Sequence, residues 1–274
     1  MRPTRRVGGV IGFIALAILG IALYAFLLEP NAVRTRNLTL YFPDLPASAD
    51  GLRIAHISDL HSRRMGARER AVLRIINGSP PDLIVITGDL VSDQRYRNVS
   101  LAFLSKLKAR LGVWAVQGNW EHYTGWTGDL LRGDLGKLGI RLLINEAERL
   151  EVNGSGIWIA GTDDPYLGAD RVPDTLNATN GGFIVLLAHS PEILNRLPKG
   201  VELVLSGHTH GGQVRLPFIG APWARGMAGG YVSGLYRREG TVLYVTNGVG
   251  MTVVPARFLC PPEVAYITLR RGNP

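Results

Sequence analysis

The feature that most restricts the fold of this chain is a series of short apolar runs, each followed almost at once by aspartate, asparagine or histidine. Leu52 to Ser58 (LRIAHIS) leads into Asp59-Leu60-His61, Leu83 to Thr87 (LIVIT) into Gly88-Asp89, and Val113 to Val116 (VWAV), through Gln117, into Gly118-Asn119. Later, FIVLLA (183–188) ends at His189 and LVLS (203–206) at Gly207-His208-Thr209-His210. Runs of this length, rich in β-branched residues and bounded by Gly or Pro, read as buried strands. Asp59, Asp89 and Asn119 are spaced 30 residues apart, one strand-helix unit each time. Between them, 68–77 and 101–109 carry apolar residues at helical spacing, as crossover helices of an α/β unit do. Further apolar runs at 157–160 and 242–246 have little helix between some of their neighbours, so the second half is expected to be richer in β structure.

Polar residues just after strands occupy the loop positions where α/β proteins place their sites. Asp59, His61, Asp89, Asn119, His189, His208 and His210 offer only oxygen and nitrogen donors, a set suited to two divalent metals without thiolate. Two metals about 3.5–4 Å apart need a bridging carboxylate and can hold a shared hydroxide for in-line attack on phosphorus. Alone, a D-x-H or H-x-H is common, and a single histidine near a strand end is more often a hydrogen-bonded core residue. It is their joint occurrence, in order and each after an apolar run, that points to a site. His56 lies within a strand, and the core reading is the better one there. The single cysteine, Cys260, excludes an intrachain disulfide and leaves no thiol pair for a zinc ribbon or a redox couple.

In this order the motifs resemble the calcineurin-like metallophosphoesterase superfamily, whose pattern D-x-H, G-D, G-N-H-[D/E], H and G-H-x-H is matched from Asp59 to His210. The stretches SGHTHGGQVRLPFIG, GLYRREGTVLYVTNGVG and ARFLCPPEVAYITL look like a bacterial membrane-anchored or exported branch. Its members include phosphodiesterases and an anchored UDP-2,3-diacylglucosamine pyrophosphatase. The likeness spans residues 51 to 271. It implies a four-layer αββα sandwich of two mixed sheets with the site at the strand ends. Asp59, His61, Asp89 and His210 would hold one metal, and Asp89, Asn119, His189 and His208 the other, with Asp89 bridging. Mn²⁺, Fe and Zn²⁺ are the candidate ions. Asp89 and Asn119 would also take part in catalysis.

The pattern breaks at one place. Where the family has His after G-N, this chain reads Gly118-Asn119-Trp120-Glu121-His122. In the family that histidine contacts the phosphate and helps the leaving group, and an indole can neither donate that proton nor carry charge. His122, two residues on, is the candidate replacement acid, with an unrelated surface or supporting role as the alternative. Glu121 is expected to orient neighbours rather than bind metal.

Ahead of this domain, Val7 to Leu28 run for 22 positions without a charge, long enough to cross a hydrocarbon core of about 30 Å as a helix. Arg2, Arg5 and Arg6 precede the run and Glu29 follows it, which favours a cytoplasmic N-terminus and an exported domain. A cleaved signal peptide ending near Ala22-Leu23-Tyr24-Ala25 is the competing reading, and Arg5-Arg6 is a weak match to a twin-arginine signal. The expected layout is a tail and anchor over 1–30, a linker over 31–50 and a phosphoesterase domain over 51–272.

The net charge of +8 suits an anionic partner, but no compact basic-aromatic module points to nucleic acid. Arg63, Arg64 and Arg68 could bind extra phosphate charge or form a solvated helix face. Hydrolysis of a phosphodiester or pyrophosphate, in some members on a lipid-linked substrate, is the leading expectation. Phosphomonoesterase or nuclease activity is the runner-up, and a catalytically dead scaffold is disfavoured because all seven ligand positions are filled. Oligomeric state is not legible.

Overall fold

The computed structural model describes residues 4–273, with side chains from residue 9 onward. Arg2 lies outside the described residues, as do the side chains of Arg5 and Arg6. The chain opens with α1 (Thr4–Leu23), which continues through a π-helical turn, Tyr24–Leu28, and a 3₁₀ turn, Glu29–Asn31. Within Gly9–Asn31 an 18-residue stretch has a mean hydropathy of 2.7 and is almost wholly exposed; this is the one helix among the described residues long and apolar enough to cross a membrane.

Strand β1 (Arg34–Phe42) follows at once and pairs in parallel with the last strand, residue for residue from Arg34↔Glu263 to Phe42↔Arg271. Part of the segment read from sequence as a linker is therefore an edge strand. Its outer half is polar (RTRN), and only Leu40 and Phe42 are buried, so it lacks the continuous apolar signal of the inner strands.

Next come β2 (Arg53–Ile57), α2 (Ala67–Gly78), β3 (Leu83–Thr87), α3 (Arg97–Leu104), β4 (Val113–Val116), α4 (Asn119–Thr124), α5 (Gly128–Lys137) and β5 (Ile140–Leu142). Helix α2 starts where Gly66 N–H donates to the Glu69 carboxylate at 2.9 Å, and it buries Val72, Leu73 and Ile76. The helix expected at 101–109 lies earlier, at Arg97–Leu104. Beyond it, tight turns (Lys106 N to Phe103 O, Leu107 N to Leu104 O) keep Leu107 in the core without helical continuation, which is why the apolar spacing misled.

The second half supplies β6 (Glu146–Val152), β7 (Ser155–Gly161), α6 (Val172–Asn177), β8 (Ile184–Leu187), β9 (Leu203–Ser206), β10 (Gly234–Arg238), β11 (Thr241–Val245) and β12 (Glu263–Arg271). Two six-stranded mixed sheets result, in the orders β1-β12-β2-β3-β4-β5 and β10-β11-β9-β8-β7-β6. Each is parallel at its centre: β2, β3 and β4 in the first, β7, β8, β9 and β11 in the second.

Alternation along these strands builds three apolar layers. Ile54, Val85, Trp114 and Val116 face Ile159, Val185, Leu205 and Tyr244 between the sheets. On the far side of the first sheet, Ala55, Ile84 and Ile86 meet Val72 and Ile76 of α2, Phe103 of α3 and Leu131 of α5. Outside the second sheet, Ile184, Leu186 and Val204 meet Val172 of α6 and Ile193. The expected four-layer α/β sandwich is what forms, and the carboxyl ends of its parallel strands converge on one end.

Candidate functional site

Asp59 follows β2, Asp89 follows β3 and Asn119 follows β4, while His189 follows β8 and His208 and His210 follow β9. The two sheets thus contribute from opposite sides, and all seven sequence-selected donor residues are buried. Asp59, His61, Asp89 and His210 bring one donor atom each within 4.8 Å of one another. His61 Nε2 lies 3.2 Å from His210 Nε2 and 3.4 Å from Asp89 Oδ2, and His210 Nε2 lies 3.5 Å from Asp59 Oδ1.

A second group shares the same Asp89 oxygen. His189 Nε2 stands 3.3 Å from Asp89 Oδ2 and 3.1 Å from Asn119 Oδ1, and His208 Nδ1 stands 3.1 Å from Asn119 Oδ1 and 3.2 Å from His189 Nε2. The two groups therefore meet at one carboxylate.

These contacts bring lone pairs together. His189 Nδ1 donates to the Thr87 carbonyl at 2.7 Å, so that Nε2, whenever the ring is neutral, is an acceptor aimed at two other acceptors. Such an arrangement calls for a cation at its centre. Donors about 2.0–2.2 Å from one ion stand roughly 3.0–3.5 Å apart, the separations seen in both groups. The electrostatics agree. Burial alone would raise Asp89, but His189 and His61 hold its carboxyl well below the usual range. Burial opposes charge on His189, yet the carboxylates of Asp89, Asp59 and Asp164 raise its proton affinity well above normal. Burial keeps His208 neutral, with a pKa lowered to about 3, and lowers His210 well below its usual value. His208 and His210 are thus neutral, the form that ligates, and the carboxylates that draw a proton to His189 would equally draw a metal cation in its place. The residues present fit two divalent ions.

The backbone is bent to make this possible. Asp59, His61, Asp89, His208 and His210 all have positive φ, between 41° and 69°. Left-handed conformations are uncommon for residues other than glycine, and five at one place mark a site where strain is held by its surroundings. Gly118 matters for a different reason: a Cβ there would fall 2.5 Å from Asp89 Oδ1. Helix α4 begins at that glycine, and Trp120 N donates to Asp89 Oδ1 at 3.0 Å. Glu121 accepts from the amides of Asp89, Leu90 and Gly118 at 2.7–2.8 Å, the orienting place read for it from sequence. Burial and the neighbouring Asp89 push its pKa up to about 8, against the pull of those amides.

His122 stands apart from the seven. Its Nε2 lies 2.7 Å from Asp163 Oδ1 and 3.2 Å from Gln117 Nε2, and the ring is about a quarter exposed. The Trp120 indole instead packs edge-on against His61, with ring centres 5.6 Å apart. His56 is fully buried, bonded at Nε2 to Thr87 Oγ1 at 2.8 Å, as the core reading expects.

Sequence reasoning passed over several residues at the same end of the sheets. Asp163 and Asp164 follow β7, and Tyr166 places its ring 4.6 Å from that of His208. Asn247 follows β11, and Val249 and Gly250 donate to the Ser58 and Asp59 carbonyls. Arg257, wholly buried, donates to the carbonyls of Asn247, Gly250 and Cys260 and so fixes that loop. The rule that found the other positions, a polar residue after an apolar run, applies to both β7 and β11.

The family model for calcineurin-like phosphoesterases matches residues 52–212, the stretch that carries all seven donors. The chain is 35% identical over 258 residues to the metallophosphoesterase YkuE of Bacillus subtilis, covering 91% of this chain and 90% of that one. A metallophosphoesterase of Aquifex aeolicus is 34% identical over 90% of this chain and 95% of its own length. A zebrafish transmembrane protein with a metallophosphoesterase domain is 33% identical over 96% of this chain, which spans 63% of that longer protein. Together with a buried two-part donor cluster at the converging ends of two mixed sheets, these matches show that the chain belongs to the calcineurin-like phosphoesterase family.

Proposed function

We propose that the chain hydrolyses phosphodiester or pyrophosphate bonds with two divalent ions, held by Asp59, His61, Asp89 and His210 on one side and Asp89, Asn119, His189 and His208 on the other. The observation that carries this is the pair of donor groups meeting at Asp89 Oδ2. When bound, such ions polarise phosphoryl oxygens and lower the pKa of water. The protein's own part is to hold this geometry. Glu121 and the Trp120 amide fix Asp89, the Thr87 carbonyl fixes the His189 tautomer, and Ser92 Oγ lies 2.9 Å from His61 Nδ1. Outer partners of this kind orient ligands and are worth about 10–100-fold in affinity or activity.

His122 is the candidate acid for the leaving group, with Asp163 orienting its ring. The runner-up, a phosphomonoesterase or nuclease, uses the same ligands. Membrane anchoring through residues 9–31, with the catalytic domain on the exported face, is supported by the apolar helix and by the arginines ahead of it. A lipid-linked substrate such as UDP-2,3-diacylglucosamine follows only from the branch resemblance, and such a nucleotide-lipid would be met on the opposite, cytoplasmic face.

The test is a panel of aryl and alkyl diesters, pyrophosphates and monoesters with purified full-length protein and Mn²⁺, Fe²⁺ or Zn²⁺. Close to two ions per chain and preferential cleavage of diesters or pyrophosphates are expected; full activity after metal stripping would overturn the reading. A reporter fused after Pro274 should behave as exported, and a cytoplasmic signal would reverse the orientation.

A further inference from the structure

A cavity of about 470 Å³ opens between the end of the N-terminal helix and the donor cluster. One wall is Phe26, Pro30 and Asn31 from the helix; the opposite wall carries His61, Arg63 and Arg64; Met251 to Pro255 close the rim. Arg63 and Arg64 are exposed and form no ion pair among the described residues, whereas Arg68 in the same cavity is neutralised by Glu69 at 2.8 Å. The cavity therefore offers two free guanidinium groups beside a candidate metal ligand.

Its rim is apolar and held outward. Val253 is 91% exposed and has φ of 58°, a conformation that β-branched residues adopt only under constraint. The constraint is visible. Gln213, three residues after His210, donates to the carbonyls of Thr252 and Val254 and accepts from Thr252 N at 2.9 Å. Val254 and Phe26 are each about half exposed on the same cavity. Val253 thus shares its cavity with Phe26, a residue of the apolar segment itself.

We infer that this cavity admits an anionic phospholipid of the anchoring bilayer, with Arg63 and Arg64 taking its phosphate and Phe26, Val253 and Val254 facing the acyl region. Pairing of guanidinium with phosphate is charge-assisted and can be bidentate, and apolar residues beside a span are at home in the interface. The inference rests on the hydrolase reading and supplies its substrate class. In the reaction the oxygen of water bonds to phosphorus, the P–O bond to one alcohol breaks, that alcohol leaves with a proton, and a phosphomonoester remains.

The experiment uses the full chain in phosphatidylcholine nanodiscs containing phosphatidylglycerol. In one arm Val253→Cys carries an environment-sensitive fluorophore, the native Cys260 being buried. Quenching by brominated acyl chains, with protection from iodide, is expected; the reverse pattern would overturn the rim. In the other arm Arg63→Glu/Arg64→Glu is compared with wild type on phosphatidylglycerol and on bis(p-nitrophenyl) phosphate. The variant should lose at least tenfold more rate on the lipid than on the soluble diester, through apparent KM. Equal losses, or cleavage of the soluble diester with none of the lipid, would sink the lipid inference while leaving the hydrolase reading intact. If no ester of either kind is cut with Mn²⁺ present, the hydrolase reading itself fails, and the substrate inference falls with it.

Discussion

Asp89 is the residue on which both donor groups depend. Asp89→Ala should therefore release both ions and cost more than the 10–100-fold typical of an outer partner, whereas Glu121→Gln, which alters only the acceptor for three amides, should fall within about that range. Metal content and aryl diester hydrolysis measured on the same samples check the order; a variant at Asp89 that keeps two ions would contradict it. Trp120 and His122 make a second prediction. An alkoxide leaves poorly without a proton, and general acid catalysis is worth about 10²–10⁴-fold. If His122 supplies that proton, His122→Ala should slow alkyl esters by a factor of that order and leave aryl esters or pyrophosphates much less affected. Rates for wild type, His122→Ala and Trp120→His plotted against leaving-group pKa decide it, and three flat lines would remove protonation from the mechanism. The donors themselves were legible because each is chemically distinctive and stands after a run of four or more apolar residues. Asp163 and Asn247 follow apolar runs as well and the same rule could have found them, whereas Arg257 was not legible, because it acts through backbone carbonyls brought together only by the fold.

Among the elements, the inner parallel strands could be read within a residue or two because both faces are buried and their sequences are continuously apolar. β1 could not, since an edge strand with a polar outer half has the composition of a linker, and its partner β12 lies more than two hundred residues away. The junction it follows is equally non-local. Glu29, 1% exposed, accepts from the amides of Leu259 and Cys260 at 2.9 and 2.6 Å; Ala25 O accepts from Arg257 N; and the rings of Tyr24 and Phe258 meet edge to face. A boundary at Ala25 would cut through this joint. Glu29→Ala would leave two amide donors without their acceptor, at a cost of about 1–3 kcal/mol each where they stay dry. Thermal unfolding of the full chain in detergent should show a lowered Tm, and an unchanged Tm would mean that the helix end is not docked.

For the whole molecule, one buried group should leave a mark on the pH dependence of stability. His56 is wholly buried, and desolvation lowers its pKa to about 3, so the folded chain keeps it neutral while the unfolded chain protonates it near pH 6.5. Between those values the unfolded state binds the extra proton. The stability contributed by neutral His56 is complete above about pH 6.5 and is lost as pH falls towards 3, by up to about 1.4 kcal/mol per pH unit. Metal-free wild type should therefore lose stability on acidification more steeply than metal-free His56→Gln, and parallel curves would refute the assignment. The joint at Glu29 has a consequence on this scale too. The apolar segment of 23 residues passes into β1 with only two residues between Asn31 and Arg34, so that, with this segment in a bilayer as proposed above, no slack chain would separate lipid from domain. In a thicker or thinner bilayer such a protein cannot adjust by letting out chain; the mismatch must be met by helix tilt or by deforming the lipid. Tilt would turn the whole sandwich with the helix. Turnover of a substrate embedded in the bilayer should accordingly pass through a maximum as acyl chains are lengthened, while turnover of a soluble ester stays level.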